Sequence, residues 1–124
     1  MDMSDSISAA LHTMKLINGA TVIYRRGNQS VELVGVRGQS KQRGYNADGL
    51  EITWQSHEWT FHSDELELAG TVITPTRGDT IEETIDGQLR VYAVTHLNPA
   101  QQPYEWEDFR GLVTRIHNVL QSVT

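Results

Sequence analysis

Pro75-Thr76-Arg77-Gly78-Asp79-Thr80-Ile81, continued by Ile85-Asp86-Gly87-Gln88 and Val91-Tyr92-Ala93-Val94, reads as turn, strand, tight turn, strand. Pro75 fixes its own φ, and Gly78-Asp79 is a turn pair. Thr80, Ile81, Thr84 and Ile85 favour extended backbone, with polar Glu82 and Glu83 between them. Asp86-Gly87 is a strong hairpin signal, because both turn positions require φ > 0. Leu89, Val91, Ala93 and Thr95 then alternate with Arg90, Tyr92, Val94 and His96. Two such strands cannot stand alone in water, so the remaining segments must extend and cover this hairpin. The expectation is a mainly β domain, a small antiparallel barrel or sandwich.

The totals set limits on this reading. A chain of 124 residues is one domain by length, with room for one modest core. There is no cysteine, hence no disulfide framework and no thiolate site, which fits a reducing cytosol or a virion assembled there. The acidic start Met1-Asp2-Met3-Ser4-Asp5 lacks the basic and apolar regions of a signal peptide. No stretch approaches the ~20 apolar residues of a membrane span. Net charge is −6. Residues 1–63 hold six basic and six acidic side chains, and 64–124 hold four and ten, so the acidic excess lies in the second half. Such a chain is a poor candidate for phosphate-backbone binding, and no sequence-specific nucleic-acid partner is expected.

Residues 4–18 read as an amphipathic helix capped by Ser4 or Ser6 and ended by Asn18-Gly19. Ile7, Ala10, Leu11, Met14 and Ile17 share one face, which either covers the sheet or faces a partner subunit. Residues 21–25 and 30–37 form a second hairpin candidate around Gly27-Asn28-Gln29, and apolar residues on both faces of its second strand imply cover on each side. Residues 37–48 lose all periodicity and read as a long exposed loop. That loop carries Arg37, Lys41 and Arg43 with no acid until Asp48, and includes Tyr45. Residues 50–61 are strand-like, and a bulge near Gln55-Ser56-His57 would put Trp54 and Trp59 on one face. Residues 63–70 resemble a capped helical turn, with acids Asp64, Glu65 and Glu67. Residues 97–108 are irregular, and 109–120 fit strand or helix, with the β context favouring strand through about His117. The domain reading is therefore one unit, 1–124, with a helix in 1–19 and the β body in 20–118.

No chemistry-bearing constellation emerges. His57 and His62 are five apart, there is no Cys, and no His-x-x-x-His pair occurs, so no metal site is expected. The carboxylate groups at Asp64, Glu65 and Glu67 and at Glu82, Glu83 and Asp86 lie beside turn signals and read as solvated surface. No nucleophile elbow, phosphate loop or dinucleotide fingerprint is present. Neither an enzyme nor a cofactor is expected. The competing classes are a small nucleic-acid-binding barrel, which would need a basic aromatic stripe, and a ligand-binding barrel, which would need a deep pocket.

With the elements placed, a set of residues resembles small phage head–tail joining or head-completion proteins, of the kind encoded in prophage-like regions. These residues are Pro75, Arg77, Gly78, Asp79 and Ile81, the Asp86-Gly87 turn, Tyr92 and Val94, and the final Arg115-Ile116-His117, with Thr21-Val22-Ile23-Tyr24-Arg25-Arg26-Gly27 as the opening. The resemblance covers roughly 20–118. It implies a small β-barrel with an accessory helix and a long loop, forming a ring between portal and tail, in the virion neck or in the bacterial cytoplasm during assembly. It implies portal, neck and tail proteins as partners, a monomer when isolated, and no cofactor. Subunit contacts would map to the helix and to the loop, and the basic loop offers a charge complement to Asp64, Glu65, Glu67 and residues 105–108.

Overall fold

The computed structural model describes residues 3–45, 47–96, 101–108 and 110–124, with backbone alone at 39–44 and 52–56. Helix α1 (Met3–Asn18) runs directly into strand β1 (Gly19–Arg26), followed by β2 (Gln29–Tyr45) and β3 (Glu51–His62). A 3-10 turn (Ser63–Glu65) leads to a two-residue ribbon, β4 (Glu67–Leu68) and β5 (Thr71–Val72). Strands β6 (Thr80–Ile85), β7 (Gln88–Val94), β8 (Tyr104–Trp106) and β9 (Val113–Val123) complete the chain.

The opening hairpin is β6–β7, in register from Thr80↔Ala93 to Ile85↔Gln88. Asp86 and Gly87 hold φ of 52° and 79°, the conformation a two-residue turn demands. Six strands close an antiparallel barrel in the order β3-β2-β1-β6-β7-β9, with β9 returning to β3. The short β8 takes the edge of β9 that β7 leaves. Closure removes the exposed sheet edges that an open sheet of this size would carry.

The barrel interior follows strand alternation. Val22 and Tyr24 of β1, Leu33 of β2, Trp59 and Phe61 of β3, Ile81 of β6, Tyr92 and Val94 of β7 and Ile116 of β9 form one buried cluster with Leu66 and Leu68. Full burial of each aliphatic or Phe side chain contributes roughly 1.5–3 kcal/mol. Gly35 sits where a Cβ would lie 2.3 Å from the Phe61 ring, so the glycine makes space for that ring. A second cluster lies outside the wall, where Leu11 and Ile7 of α1 pack on Val36 and Val113. The apolar residues on both faces of β2 are thus explained: Leu33 points into the barrel and Val36 points under the helix.

Four expectations change. Residues 37–45 are strand, paired with 51–59 without interruption, and the connection shrinks to residues 46–50. The apolar strand β3 draws a polar run into register, because backbone pairing needs no alternation in the partner strand. That continuous register also excludes the bulge near Gln55-Ser56-His57; the register shift lies instead between Val91 and Tyr92, opposite β9. In 63–70 only Ser63–Glu65 is helical, without a side-chain cap, before the β4–β5 turn. The final element is a strand, as favoured, but it continues past His117 to Val123 because β7 supplies a second partner there.

Candidate functional site

The Pro75–Asp79 turn is a structural knot. Asp79 is 3% exposed. Its carboxylate accepts the Tyr24 hydroxyl at 2.5 Å, Arg26 Nε at 2.9 Å, Arg26 Nη2 at 2.7 Å and the Thr76 N–H at 3.0 Å. Arg26 Nη2 also donates to Thr74 O at 2.8 Å. The Val94 N–H reaches Asp79 O at 2.9 Å, tying the turn to β7. Burial alone would raise the Asp79 pKa, but the bonds from Arg26, Tyr24 and Thr76 outweigh it and hold the carboxyl below its usual range. Burial, then the Asp79 carboxylate, push the Tyr24 hydroxyl the other way. Arg77 of the same motif is exposed and lies outside this network. Arg26 does its work, and the sequence marked it only as part of residues 21–27, the opening of the resemblance.

The acidic segment 105–108 is engaged from within. Arg115 on β9 lies 3.1 Å from Glu58, 2.6 Å from Glu105 and 2.7 Å from Glu107. Burial would raise the Glu105 pKa, yet Arg115 lowers it overall. Asp108 accepts the N–H groups of Arg110, Leu112 and Val113 at 3.1, 3.0 and 2.8 Å, and these outweigh burial to lower its pKa. Residues 105–108 therefore buttress the start of β9, with Glu105 and Glu107 held by Arg115 and Asp108 by backbone N–H groups.

The predicted interface residues divide. Arg37 is engaged: it pairs with buried Glu83, and its Cζ lies 5.2 Å from the Trp59 ring centroid. Glu65 pairs with Lys15 of α1, whose Nζ also donates to His62 Nδ1 at 2.7 Å. Asp64 and Glu67 are exposed and have no partner among the described residues. Tyr45 is exposed at the far end of β2. The side chains of Lys41 and Arg43 lie outside the described residues, but their backbone belongs to the ribbon formed by β2 and β3.

That ribbon is the main geometric feature. Pairing of β1 with β2 ends at Val36, and pairing of β9 with β3 begins at His57. Beyond those points, 38–45 and 51–56 pair only with each other among the described residues, so the ribbon leaves the barrel wall. Asp64 and Glu67 follow the opposite end of β3. A 12-residue strand spans roughly 40 Å, so positions 41 and 43, opposite Gln55 and Thr53, are held far from Asp64 and Glu67, whereas Arg37, opposite Trp59, is not.

Two hollows flank α1. One, about 290 Å³, runs between the helix and the wall past Ile7, Met14, Val36 and Val113. The other, about 310 Å³, is bordered by Ser8, His62, Ser63 and Asp64. No group of three metal-ligating side chains occurs among the described residues. Among those residues, no helix is long and apolar enough to cross a membrane.

A comparison with curated proteins finds no match. A family model described as "Phage head-tail joining protein" matches residues 1–124. With a closed six-stranded barrel, one N-terminal helix and a projecting ribbon, the chain belongs to the phage head–tail joining family and is a structural protein of the phage neck.

Proposed function

We propose that the chain acts without catalysis as one subunit of a homo-oligomeric ring between head and tail, and that the β2–β3 ribbon carries much of its docking. Family membership supports contact with other phage head and tail proteins and a place in the virion neck. The observation that carries the finer reading is the separation of charge along β3. A cyclic ring joins two different faces of each subunit, and the ribbon residues Lys41 and Arg43, with Tyr45, lie opposite the first half of β3, whose other end leads to Asp64, Glu65 and Glu67, whereas Arg37 lies opposite Trp59 near that acidic end. Arg37 and Glu65 already hold internal partners, and Asp64 and Glu67, exposed and unpaired among the described residues, are open to a neighbour. The ribbon has no third strand to stiffen it among the described residues, which suits a segment that finishes ordering against a partner. The isolated chain is then a monomer in the bacterial cytoplasm until its ring site forms, and a prophage-like gene setting fits this role.

The test is the double reversal Lys41→Glu and Arg43→Glu. The expected result is a folded chain that fails to enter the assembled particle, with wild-type assembly weakening as salt rises. Unchanged sedimentation of particles carrying the double variant would reject the charge-paired ring.

A further inference from the structure

Little apolar surface holds α1 on the barrel: Leu11 and Ile7 pack on Val36 and Val113. Polar contacts add to this in two groups. At the first turn the Arg110 N–H donates to Ser4 Oγ at 3.2 Å, and the Arg110 guanidinium lies 3.1 Å from Asp5. Along the middle and last turns the contact is His62, at the end of β3. Its Nε2 donates to Ser8 O at 3.0 Å, and Lys15 Nζ donates to its Nδ1 at 2.7 Å. Lys15 also pairs with Glu65, and its side chain is 10% exposed. These partners fix the protonation of the ring. A carbonyl oxygen only accepts, so Nε2 carries the hydrogen; an ammonium only donates, so Nδ1 offers its lone pair. The imidazole that bridges Ser8 and Lys15 is therefore neutral. A proton on Nδ1 would remove the lone pair that Lys15 uses and point an N–H at a cation.

We propose that His62 is a pH-sensitive latch: neutral, it holds α1 against the barrel through Ser8 O and Lys15; protonated, it lets the helix loosen. Histidine is the side chain that ordinarily changes charge between pH 5 and 8. The groups that face His62 come from three elements. From α1 there are Lys15 and His12, whose ring centroid lies 6.4 Å away; His12 is exposed, and charging it adds to the repulsion. From the 3-10 turn there are Glu65, 3.5 Å from Nδ1, and Asp64 on the rim of the hollow that His62 borders. From β9 and the chain before it come Val113, opposite in register, and Gly111 and Leu112 at the hollow, none of them ionisable. Glu65 is the group placed to favour a charged His62. It is 46% exposed and already engaged by Lys15, whose charge sits closer to Nδ1. The cation therefore wins, and the docked helix takes up fewer protons than the loosened one. Docking then weakens as pH falls, by at most about tenfold per pH unit for one proton. A released helix of this length is marginal alone, so loosening appears as faster amide exchange.

The experiment is amide hydrogen exchange on the full chain at pH 7.5 and 5.5, expressed as protection relative to the free-peptide rate at each pH. Protection across residues 5–18 falls about tenfold or more at pH 5.5, while that of β1, β6 and β7 holds. Because α1 buries little apolar surface, urea releases it before the barrel melts, and the barrel's urea midpoint is the same at both pH values. His12→Gln retains the response and His62→Gln loses it. Lys15→Met is the sharper arm. With the cation gone, a protonated His62 pairs with Glu65, so K15M protects α1 at pH 5.5 at least as well as at pH 7.5. Wild-type protection that does not change between the two pH values would overturn the latch. So would a response that persists in H62Q or vanishes in H12Q, or a K15M helix that loosens at pH 5.5 as wild type does. The neck assignment stands apart from all of these results.

Discussion

The turn at Asp79 and the ribbon beyond Val36 use the same kind of backbone pairing, yet they differ in what surrounds it. Around Asp79, β1, β6 and β7 converge, and one carboxylate gathers a phenol, a guanidinium and a peptide N–H. Along the ribbon each strand has one neighbour, and the side that faces the next strand in the barrel faces nothing described. The contrast separates scaffold from reach. At Asp79 the carboxylate is buried and partnered on every side, whereas along 38–45 and 51–56 the backbone pairs across one edge only among the described residues.

The largest effect that would sharpen this contrast is expected from Asp79→Ala. It leaves the buried Tyr24 hydroxyl without its acceptor and the half-buried Arg26 without its ion pair, and an unsatisfied buried donor costs about 1–3 kcal/mol. Urea unfolding reads the loss directly; a change below ~1 kcal/mol would mean that the knot is not what joins β1 to the turn. A graded effect comes from pH. Asp79 and Asp108 titrate below their usual range in the folded chain. Their contribution is complete above the unfolded value of about 3.9 and is lost as pH falls through the lower folded values. The urea midpoint should hold steady from pH 7 to about 5 and drop below about 4. In Asp79→Asn that acid-side drop should be shallower, and an equal slope would assign it to other carboxylates. The smallest effect belongs to the ribbon. Tyr45→Ser at its exposed end should change stability by no more than about 0.5 kcal/mol, and a larger loss would show that the ribbon folds back on the body.

Much of this was legible in the residues. The β6–β7 hairpin was readable because a two-residue turn with φ > 0 names its own sequence, and Asp86-Gly87 supplied it. Helix α1 was readable because spacing of three and four needs no tertiary context to define a face. The run Gly38-Gln39-Ser40-Lys41-Gln42-Arg43-Gly44 was unreadable as strand, since its extended form is imposed by β3 across the hairpin. The pairings of Arg26, Arg115 and Glu58 were equally hidden. Their partners lie 53, 10 and 57 positions away, and no local pattern encodes such a pairing.

The amino-acid sequence by itself determined the local grammar: where the chain turns, which stretches prefer to extend, which helix face is apolar, and that no cysteine or metal-ligand spacing is present. Only the tertiary structure decided that β9 closes on β3, that Asp79 is the acceptor for three elements at once, and that half of the apolar face of α1 remains uncovered. The physical reason is range. Turn and helix preferences act over a few residues of backbone, whereas barrel closure and the pairing of buried charges depend on groups brought together from distant parts of the chain.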